Sequence, residues 1–287
     1  MPAIKSQSKK KEPVKSMDSV LDRIVPLDNL PDEGIKLCVY GKSGTGKTRF
    51  VGTFAEQQGP LLHMICSSNG INEARSIKGL NNIQCVELQK SSDLSVLIDY
   101  AQENDFKTVV LDHVTGFADL VLAEILGVNK VPEQGSWGMA KREHYAQLGL
   151  QVKTHLRGLL DTSLNIIIVG QERAFDTSEE SSDVLMPYVS VGATPAVAGW
   201  IAPAVDYMCQ TFKREEVKIT EKKLGNKIIL NKEKTGKNEF CLRVGPDATY
   251  ITKFRVPPNT ELPDVIVDPS YDKIKHLING EVNADTV

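Results

Sequence analysis

The sequence has no long hydrophobic run. Across its 287 residues, no apolar stretch approaches the roughly 18 to 20 residues that a membrane-spanning helix requires. The N-terminus also lacks the apolar core of a secretory signal. We therefore expect the protein to remain in the cytoplasm.

Cysteine and excess charge are also scarce. The five cysteines are odd in number, widely spaced and mostly embedded in apolar runs, which indicates reduced thiols and argues against a disulfide framework or a metal site. The formal net charge of −3 argues against a surface that is basic all over, as in proteins held on nucleic acid mainly by charge. With 41% hydrophobic and 25% charged residues, the composition is that of a globular protein with a sizeable core.

The distribution of charged and apolar residues divides the chain into three parts. Residues 1–17 carry five lysines against one glutamate, which predicts a disordered basic tail. This tail is either an electrostatic arm for nucleic acid or simply a solvated terminus. Residues 18–250 are predicted to form the folded core, and 251–287 a C-terminal extension with one short helix around 271–278.

Short apolar runs alternate with helix-compatible stretches between residues 35 and 170, which is typical of a parallel sheet with connecting helices. The predicted strands are 35–40, 61–66, 83–88, 107–112 and 164–170, and the predicted helices are 47–57, 92–103, 115–126 and 138–161. A polar loop is predicted at 172–183, followed by strands with tight turns at 224–226 and 235–238. The predicted class is α/β, with a mainly parallel central sheet flanked by helices and additional antiparallel strands toward the C-terminus.

A phosphate-binding loop follows the first predicted strand. Residues 41–48 read GKSGTGKT, which fits G-x-x-x-x-G-K-[ST] at every position. The glycines let backbone N–H groups converge on phosphate oxygens, Lys47 neutralises the β- and γ-phosphates, and the Thr48 hydroxyl is a ligand for Mg²⁺. The strand-loop-helix setting also directs a helix N-terminus at the phosphates. We predict binding of ATP with Mg²⁺ by Gly41, Lys42, Ser43, Gly44, Thr45, Gly46, Lys47, Thr48 and Arg49.

Three residues near strand ends are candidates for holding the metal, contacting the γ-phosphate and activating water. Asp112 closes an apolar run and is predicted to hold the magnesium ion, usually through water. Gln171 follows a strongly apolar strand, where its amide can reach the γ-phosphate, although a loop-capping glutamine is an equal alternative. Glu87 is a candidate general base, against the alternative of an ordinary exposed glutamate. The rival candidates for the base are Glu73 and Glu172.

Four stretches carry a family resemblance that spans about residues 34–245: VYGKSGTGKT, VVLDHVTGF, IIIVGQER and GWIAPAVDYM. Together they resemble the phage-encoded RecA-like P-loop ATPases, an AAA-type family that includes minimal recombinases associated with single-strand annealing proteins. This resemblance implies a RecA-like core and a DNA-stimulated ATPase that acts on single-stranded DNA in recombination, annealing or replication. It also implies a homo-oligomer, a single-strand binding or annealing protein as a partner, and the host cytoplasm as the location.

The resemblance implies roles for residues outside the loop as well. The residue matching Gln171 couples the γ-phosphate to a DNA-contacting loop, here 172–194, and a second DNA loop falls at 127–137. Lys232 and Lys234 match a lysine pair that a neighbouring subunit presents to the γ-phosphate. Charge alone favours the alternative of a solvated hairpin turn for these lysines.

Two departures from the family pattern bear on function. The second strand of the family often ends in an acidic stretch, whereas this chain has CSSNG at 66–70, so the role of that acidic group is open. The loop at 172–183 carries five acidic residues against Arg173 alone, which would repel DNA phosphates.

Other function classes use the same loop. A kinase of a small molecule or nucleotide usually has an arginine-rich lid, but only Arg142 and Arg157 lie between Asp112 and Gln171. A GTPase is discounted because Lys234 replaces the aspartate of Asn-Lys-x-Asp. A nucleotide-bound scaffold without turnover stays open, because the general base is not identified.

Overall fold

The computed structural model describes Pro26 and residues 34–66, 70–128, 140–175, 187–224 and 227–282. The chain divides into two units, Met1–Asp32 and Glu33–Val287, and all the elements below belong to the second. No helix in the described ranges is long and apolar enough to cross a membrane. The predicted tail at 1–17, most of the predicted loop at 127–137 and the middle of the one at 172–194 lie outside the described residues.

The described residues contain eleven strands, six α-helices and one 3-10 helix. The strands are β1 Lys36–Gly41, β2 Leu61–Ile65, β3 Ile83–Glu87, β4 Thr108–Asp112, β5 Asn165–Gly170, β6 Glu172–Phe175, β7 Tyr188–Val191, β8 Tyr207–Leu224, β9 Lys227–Arg243, β10 Lys253–Phe254 and β11 Val265–Val267. The α-helices are α1 Lys47–Gln58, α2 Asp93–Glu103, α3 Val114–Leu126, α4 Arg142–Leu160, α5 Pro195–Ala204 and α6 Tyr271–Ile278; the 3-10 helix is Gly70–Ile77. The first five strands end within one residue of their predicted bounds.

The main sheet has the strand order β11-β9-β8-β1-β5-β4-β2-β3, with β10 paired to β8. The neighbouring strands from β8 to β3 run parallel, whereas β9, β10 and β11 pair antiparallel. Strands β1, β2 and β4 are buried along their whole length, as expected for parallel strands covered on both faces. This architecture confirms the predicted α/β class, with a mainly parallel central sheet flanked by helices and additional antiparallel strands toward the C-terminus.

Alternate residues of β1 face two separate hydrophobic cores. Cys38 and Tyr40 belong to the core that contains residues of α2, α3, α4 and α5. Leu37 and Val39 belong to the core on the other face, which contains residues of α1 and α6. Because side chains alternate along a strand, helices must cover both faces of the sheet to bury this one strand.

The C-terminal residues pack on the core. Strand β11 pairs with β9, and α6 lies against α1. The Tyr271 ring centroid lies 5.0 Å from that of Phe54, which in turn lies 5.9 Å from that of Phe50. The predicted helix at 271–278 is present with those bounds. Residues 251–282 are therefore part of the same compact unit as the sheet.

Strands β8 and β9 form a long hairpin in which one predicted turn is absent. Leu224 pairs with Lys227, and the rest of the predicted turn at 224–226 lies outside the described residues. The second predicted turn, at 235–238, is wrong, because these residues belong to β9, where Thr235, Gly236 and Lys237 form a bulge opposite Glu216. Gly236 adopts a φ of 74° there. A glycine among polar residues is typical of bulges as well as of turns, which explains the error.

The predicted polar loop at 172–183 begins as a strand. β6 pairs antiparallel with β7 in a separate two-stranded ribbon. The rings of Phe175 and Tyr188 stack across this ribbon with centroids 5.1 Å apart. This aromatic pair stabilises a strand in a stretch whose charged composition predicts a loop.

The five cysteines are free thiols, in agreement with the prediction. Burial raises the pKa of Cys38 to about 12, which makes that thiol unreactive. Cys85 is the exception to burial, because it lies on β3 at the edge of the sheet.

Replacing Phe54 with alanine tests the packing of α6 on α1. Phe54 is fully buried, and its removal leaves a cavity beside Tyr271, so the free energy of unfolding should fall by about 3 to 5 kcal/mol. Val96 is 65% exposed, and Val96→Ala should change that free energy by less than about 0.5 kcal/mol. Denaturant unfolding of both variants measures the difference, and equal losses would contradict this packing.

Candidate nucleotide-binding site

The carboxyl ends of β1, β4 and β5 meet at one edge of the sheet. The phosphate-binding loop leaves β1 at this edge, Asp112 closes β4, and Gln171 follows β5. A cavity of about 460 Å³ lies here, where parallel sheets generally bind their ligands. Its lining residues are Ser43, Gly44, Gly46, Lys47, Thr48, Arg49, Ser76, Asp112, Gln171 and Phe240.

Two glycines shape the loop. Gly44 and Gly46 have φ angles of 74° and 91°, a region that residues with a Cβ rarely adopt. Gly46 is also the N-cap residue of α1. A Cβ at this position would lie 2.9 Å from the Phe240 ring. Position 46 therefore requires glycine both for its backbone conformation and for space.

Thr45 connects the loop to the neighbouring strand β8. Its hydroxyl donates to the Lys42 carbonyl at 2.8 Å and lies 2.7 Å from the hydroxyl of Thr211. The Thr211 hydroxyl in turn lies 3.3 Å from the carbonyl of Tyr40 in β1. Thr45 and Thr211 are both buried, so these bonds hold the loop in place from beneath.

The ammonium group of Lys47 lies beside the cavity. Its Nζ donates to the carbonyls of Gly41 and Lys42 at 2.7 and 2.8 Å. The same nitrogen is 3.5 Å from Gln171 Oε1. Lys47 is only 8% exposed, and a buried cation at the end of a cavity favours an anionic ligand. The structure thus brings two predicted residues, Lys47 and Gln171, to the same place.

Asp112 and Thr48 lie side by side at the cavity. Thr48 Oγ1 is 3.3 Å from Asp112 Oδ2, and His63 Nε2 is 3.1 Å from the same oxygen. Burial raises the pKa of Asp112, but the hydrogen bond from His63, with smaller contributions from His113 and Thr48, outweighs it and lowers that pKa below its usual value. The carboxylate is therefore ionised at neutral pH.

The oxygens of Thr48 and Asp112 fit a magnesium ion. Mg²⁺ prefers oxygen ligands and commonly takes few of them from the protein, with phosphates and water completing its shell. In the described part of the chain, no group of three or more His, Cys, Asp or Glu is placed to hold a metal. A metal at Thr48 and Asp112 would share its shell with phosphate and water ligands.

Three of the predicted nucleotide-binding residues support the loop and do not line the cavity. Gly41 and Lys42 contribute the carbonyls that accept from Lys47, and Thr45 anchors the loop. The Lys42 side chain is 79% exposed, with its Nζ 3.8 Å from Glu172 Oε1. That ion pair occupies a carboxylate that the sequence offers as a rival general base.

Two predicted catalytic residues, Glu87 and Lys234, do not line the cavity. Glu87 is exposed at the end of β3, the edge strand, which β2 separates from β4. Lys234 is exposed on β9, with its Nζ 2.8 Å from a carboxylate oxygen of Glu215. Lys232 lies in the same strand and not in a hairpin turn.

Sequence motifs do not identify three residues at or beside the cavity. Ser76 and Phe240 line it from the 3-10 helix and from β9, and only the folded chain brings these segments to the loop. His63 lies behind Asp112 on β2. The one sequence signal for it is a histidine within the apolar run LLHMIC.

A family of known proteins matches most of the chain. The family described as an AAA domain matches residues 33–256. Among solved structures, the chain is similar to a KaiC-like protein from the hyperthermophilic archaeon Pyrococcus horikoshii OT3. The two share 12% identity with a TM-score of 0.34, over 83% of this chain and 90% of that one. No curated protein matches the sequence.

A glycine pair tests the constraint on the loop. Gly46→Ala should lower the free energy of unfolding by about 1 to 2 kcal/mol through its positive φ alone, and it should weaken nucleotide binding because the loop must shift away from Phe240. Gly199, in α5, has no atom within 4 Å of an added Cβ, and Gly199→Ala should be neutral or stabilising by up to about 1 kcal/mol. Thermal unfolding and fluorescent-nucleotide titration distinguish the two, and wild-type affinity in Gly46→Ala would contradict the described loop.

Proposed function

We propose that this chain, which belongs to the AAA domain family of P-loop ATPases, binds ATP with Mg²⁺, hydrolyses it and acts on single-stranded DNA. The observation that carries the ATPase assignment is the convergence of Lys47, Thr48, Asp112 and Gln171 on one cavity. Each supplies a group that phosphoryl transfer to water requires.

The roles follow from the positions of these side chains. Lys47 neutralises the terminal phosphates, and Thr48 and Asp112 hold the metal. Magnesium, when bound, offsets the negative charge on the β- and γ-phosphates. Gln171 Oε1 is 3.5 Å from Lys47 Nζ, so the amide reaches the region where the γ-phosphate contacts the lysine. We assign Gln171 the role of orienting the attacking water, which P-loop enzymes accomplish with glutamine as well as with carboxylates.

A second candidate function follows from the carboxylates of the site. Asp112 is the one carboxylate that lines the cavity in the described part of the chain, and it is assigned to the metal. Among the described side chains, no second carboxylate lines the cavity to act as a general base, and the side chain of Glu73 lies outside them. This observation favours, as the alternative, a nucleotide-bound scaffold that recruits other proteins without turnover.

The connection of Gln171 to the β6–β7 ribbon supports coupling to DNA. β6 begins at the residue after Gln171, and Gly192, which follows β7, donates its N–H to the Gln171 carbonyl at 2.6 Å. The first residue of β6 and the residue after β7 are thus both joined to Gln171, the residue proposed to contact the γ-phosphate. In the proposed cycle, ATP binding sets the DNA-gripping state of the segment at 172–194, and hydrolysis releases it.

The β8–β9 hairpin supports assembly into a homo-oligomer. β8 pairs with β1 only up to Thr211, so the described hairpin continues beyond the sheet as a two-stranded ribbon. Lys234 is 73% exposed on this ribbon and does not line the cavity of its own chain. This arrangement suits a lysine that, with Lys232, serves the γ-phosphate of a neighbouring subunit. An oligomer built in this way would assemble on single-stranded DNA together with a single-strand binding or annealing protein.

The ATPase rate with and without single-stranded DNA tests this function. Wild type should hydrolyse ATP faster with DNA, whereas Gln171→Ala should bind ATP normally and lose the stimulated rate by on the order of 10²-fold. Gln89, which is exposed two residues after the end of β3, provides the control Gln89→Ala, expected to match wild type. Lys234→Ala should lose stimulation and Lys237→Ala should retain it, if the lysine acts between subunits.

The same assay separates the alternatives. Turnover only in the presence of a small phosphate acceptor would replace the proposal with a kinase. ATP binding without turnover under any condition would favour the scaffold. Turnover that DNA does not change would remove the DNA partner and leave the ATPase.

A further inference from the structure

A buried histidine stands directly behind the carboxylate assigned to magnesium. His63 lies in the middle of β2 and is 1% exposed, in a strand whose other side chains are apolar. Its Nε2 is 3.1 Å from Asp112 Oδ2. No described residue offers a hydrogen bond to its Nδ1, which is also buried. Burial of a half-satisfied imidazole is unfavourable compared with an apolar side chain, so packing alone does not explain a histidine here.

The contact defines how the imidazole and the carboxylate interact. An ionised carboxylate only accepts hydrogen bonds, so Nε2 carries the proton and donates it to Oδ2. Thr48 Oγ1 also approaches Oδ2, at 3.3 Å. Both contacts fall on the same oxygen of Asp112. The carboxylate is therefore held from the sheet side by His63 while it lies beside Thr48 at the cavity.

We propose that His63 is a positioning residue for the magnesium site: it orients the Asp112 carboxylate so that this group and Thr48 present oxygen together to the metal. This inference rests on the proposed function, because it concerns the same ion. The imidazole is not itself a ligand, since Mg²⁺ selects oxygen and Nε2 is committed to Asp112. Its role corresponds to that of hydrogen-bonded partners that orient metal ligands elsewhere, whose loss typically lowers metal affinity by about 10- to 100-fold.

The test measures how much Mg²⁺ is needed to strengthen binding of a fluorescent, non-hydrolysable ATP analogue. His63→Leu fills the space of the imidazole but removes the hydrogen-bond donor to Asp112. This variant should raise the half-maximal Mg²⁺ concentration by about tenfold or more, whereas its affinity for the analogue in EDTA should be unchanged. His63→Gln keeps an N–H donor and should recover much of the wild-type response. The control is His155→Gln, a half-buried histidine that packs on Phe117 away from the site, and it should behave as wild type.

A double variant separates a positioning role of His63 from general structural damage. In Asp112→Asn, adding His63→Leu should change the Mg²⁺ requirement no further, because the group that His63 orients is already altered. Thermal unfolding checks that each variant folds, and His63→Met replaces His63→Leu if the latter does not.

The outcomes distinguish this inference from the proposed function. An unchanged Mg²⁺ requirement in His63→Leu, or an equal loss of affinity with and without Mg²⁺, would overturn the positioning role and leave the ATPase proposal intact. If Mg²⁺ does not strengthen nucleotide binding in wild type, the magnesium site fails and the inference fails with it.

Discussion

Burial of β1 between two parallel neighbours is the constraint on which the rest of this structure depends. β5 on one side and β8 on the other hold β1 at the centre of the sheet, and helices cover both of its faces. Parallel strands end at the same edge, so the loop that follows β1 emerges beside Gln171, with Asp112 one strand further along. The convergence of these groups is thus a consequence of strand order, although Lys47 and Gln171 are 124 residues apart in the sequence.

The sequence predicts those parts of the site that local chemistry determines. A phosphate-binding loop needs glycines and a lysine at set spacing, which makes Lys47 predictable. Asp112 and Gln171 are predictable because each stands where an apolar run of a buried strand ends. Residues placed by tertiary contacts are not: Phe240 reaches Gly46 only because β9 pairs with β8. The same limit applies to Glu87, which ends a strand as Asp112 does but does not line the cavity. Its strand is the outermost of the sheet, which only the topology reveals.

Polar contacts beneath the cavity connect its parts to different elements. Thr45 binds the loop to β8 through Thr211, and His63 holds Asp112 from β2. Gln171 joins the cavity to the β6–β7 ribbon through Gly192. These contacts lie in a low-dielectric interior, where satisfied hydrogen bonds are strong and a displaced partner is costly. Under the proposed function, a change at the γ-phosphate would reach the ribbon through Gln171, while Asp112 would stay attached to the sheet through His63.

The most direct measurement of the central claim is the thermal stabilisation of the protein by ATP with Mg²⁺. A ligand that binds only the folded state at 100 times its Kd adds about 2.7 kcal/mol of stability, so wild type should show a clear rise in Tm. Lys47→Ala should lose this rise, whereas Lys90→Ala, at a lysine with a 66% exposed side chain, should retain it. An equal rise in Lys47→Ala, or none in wild type, would contradict the account of this cavity as an ATP site.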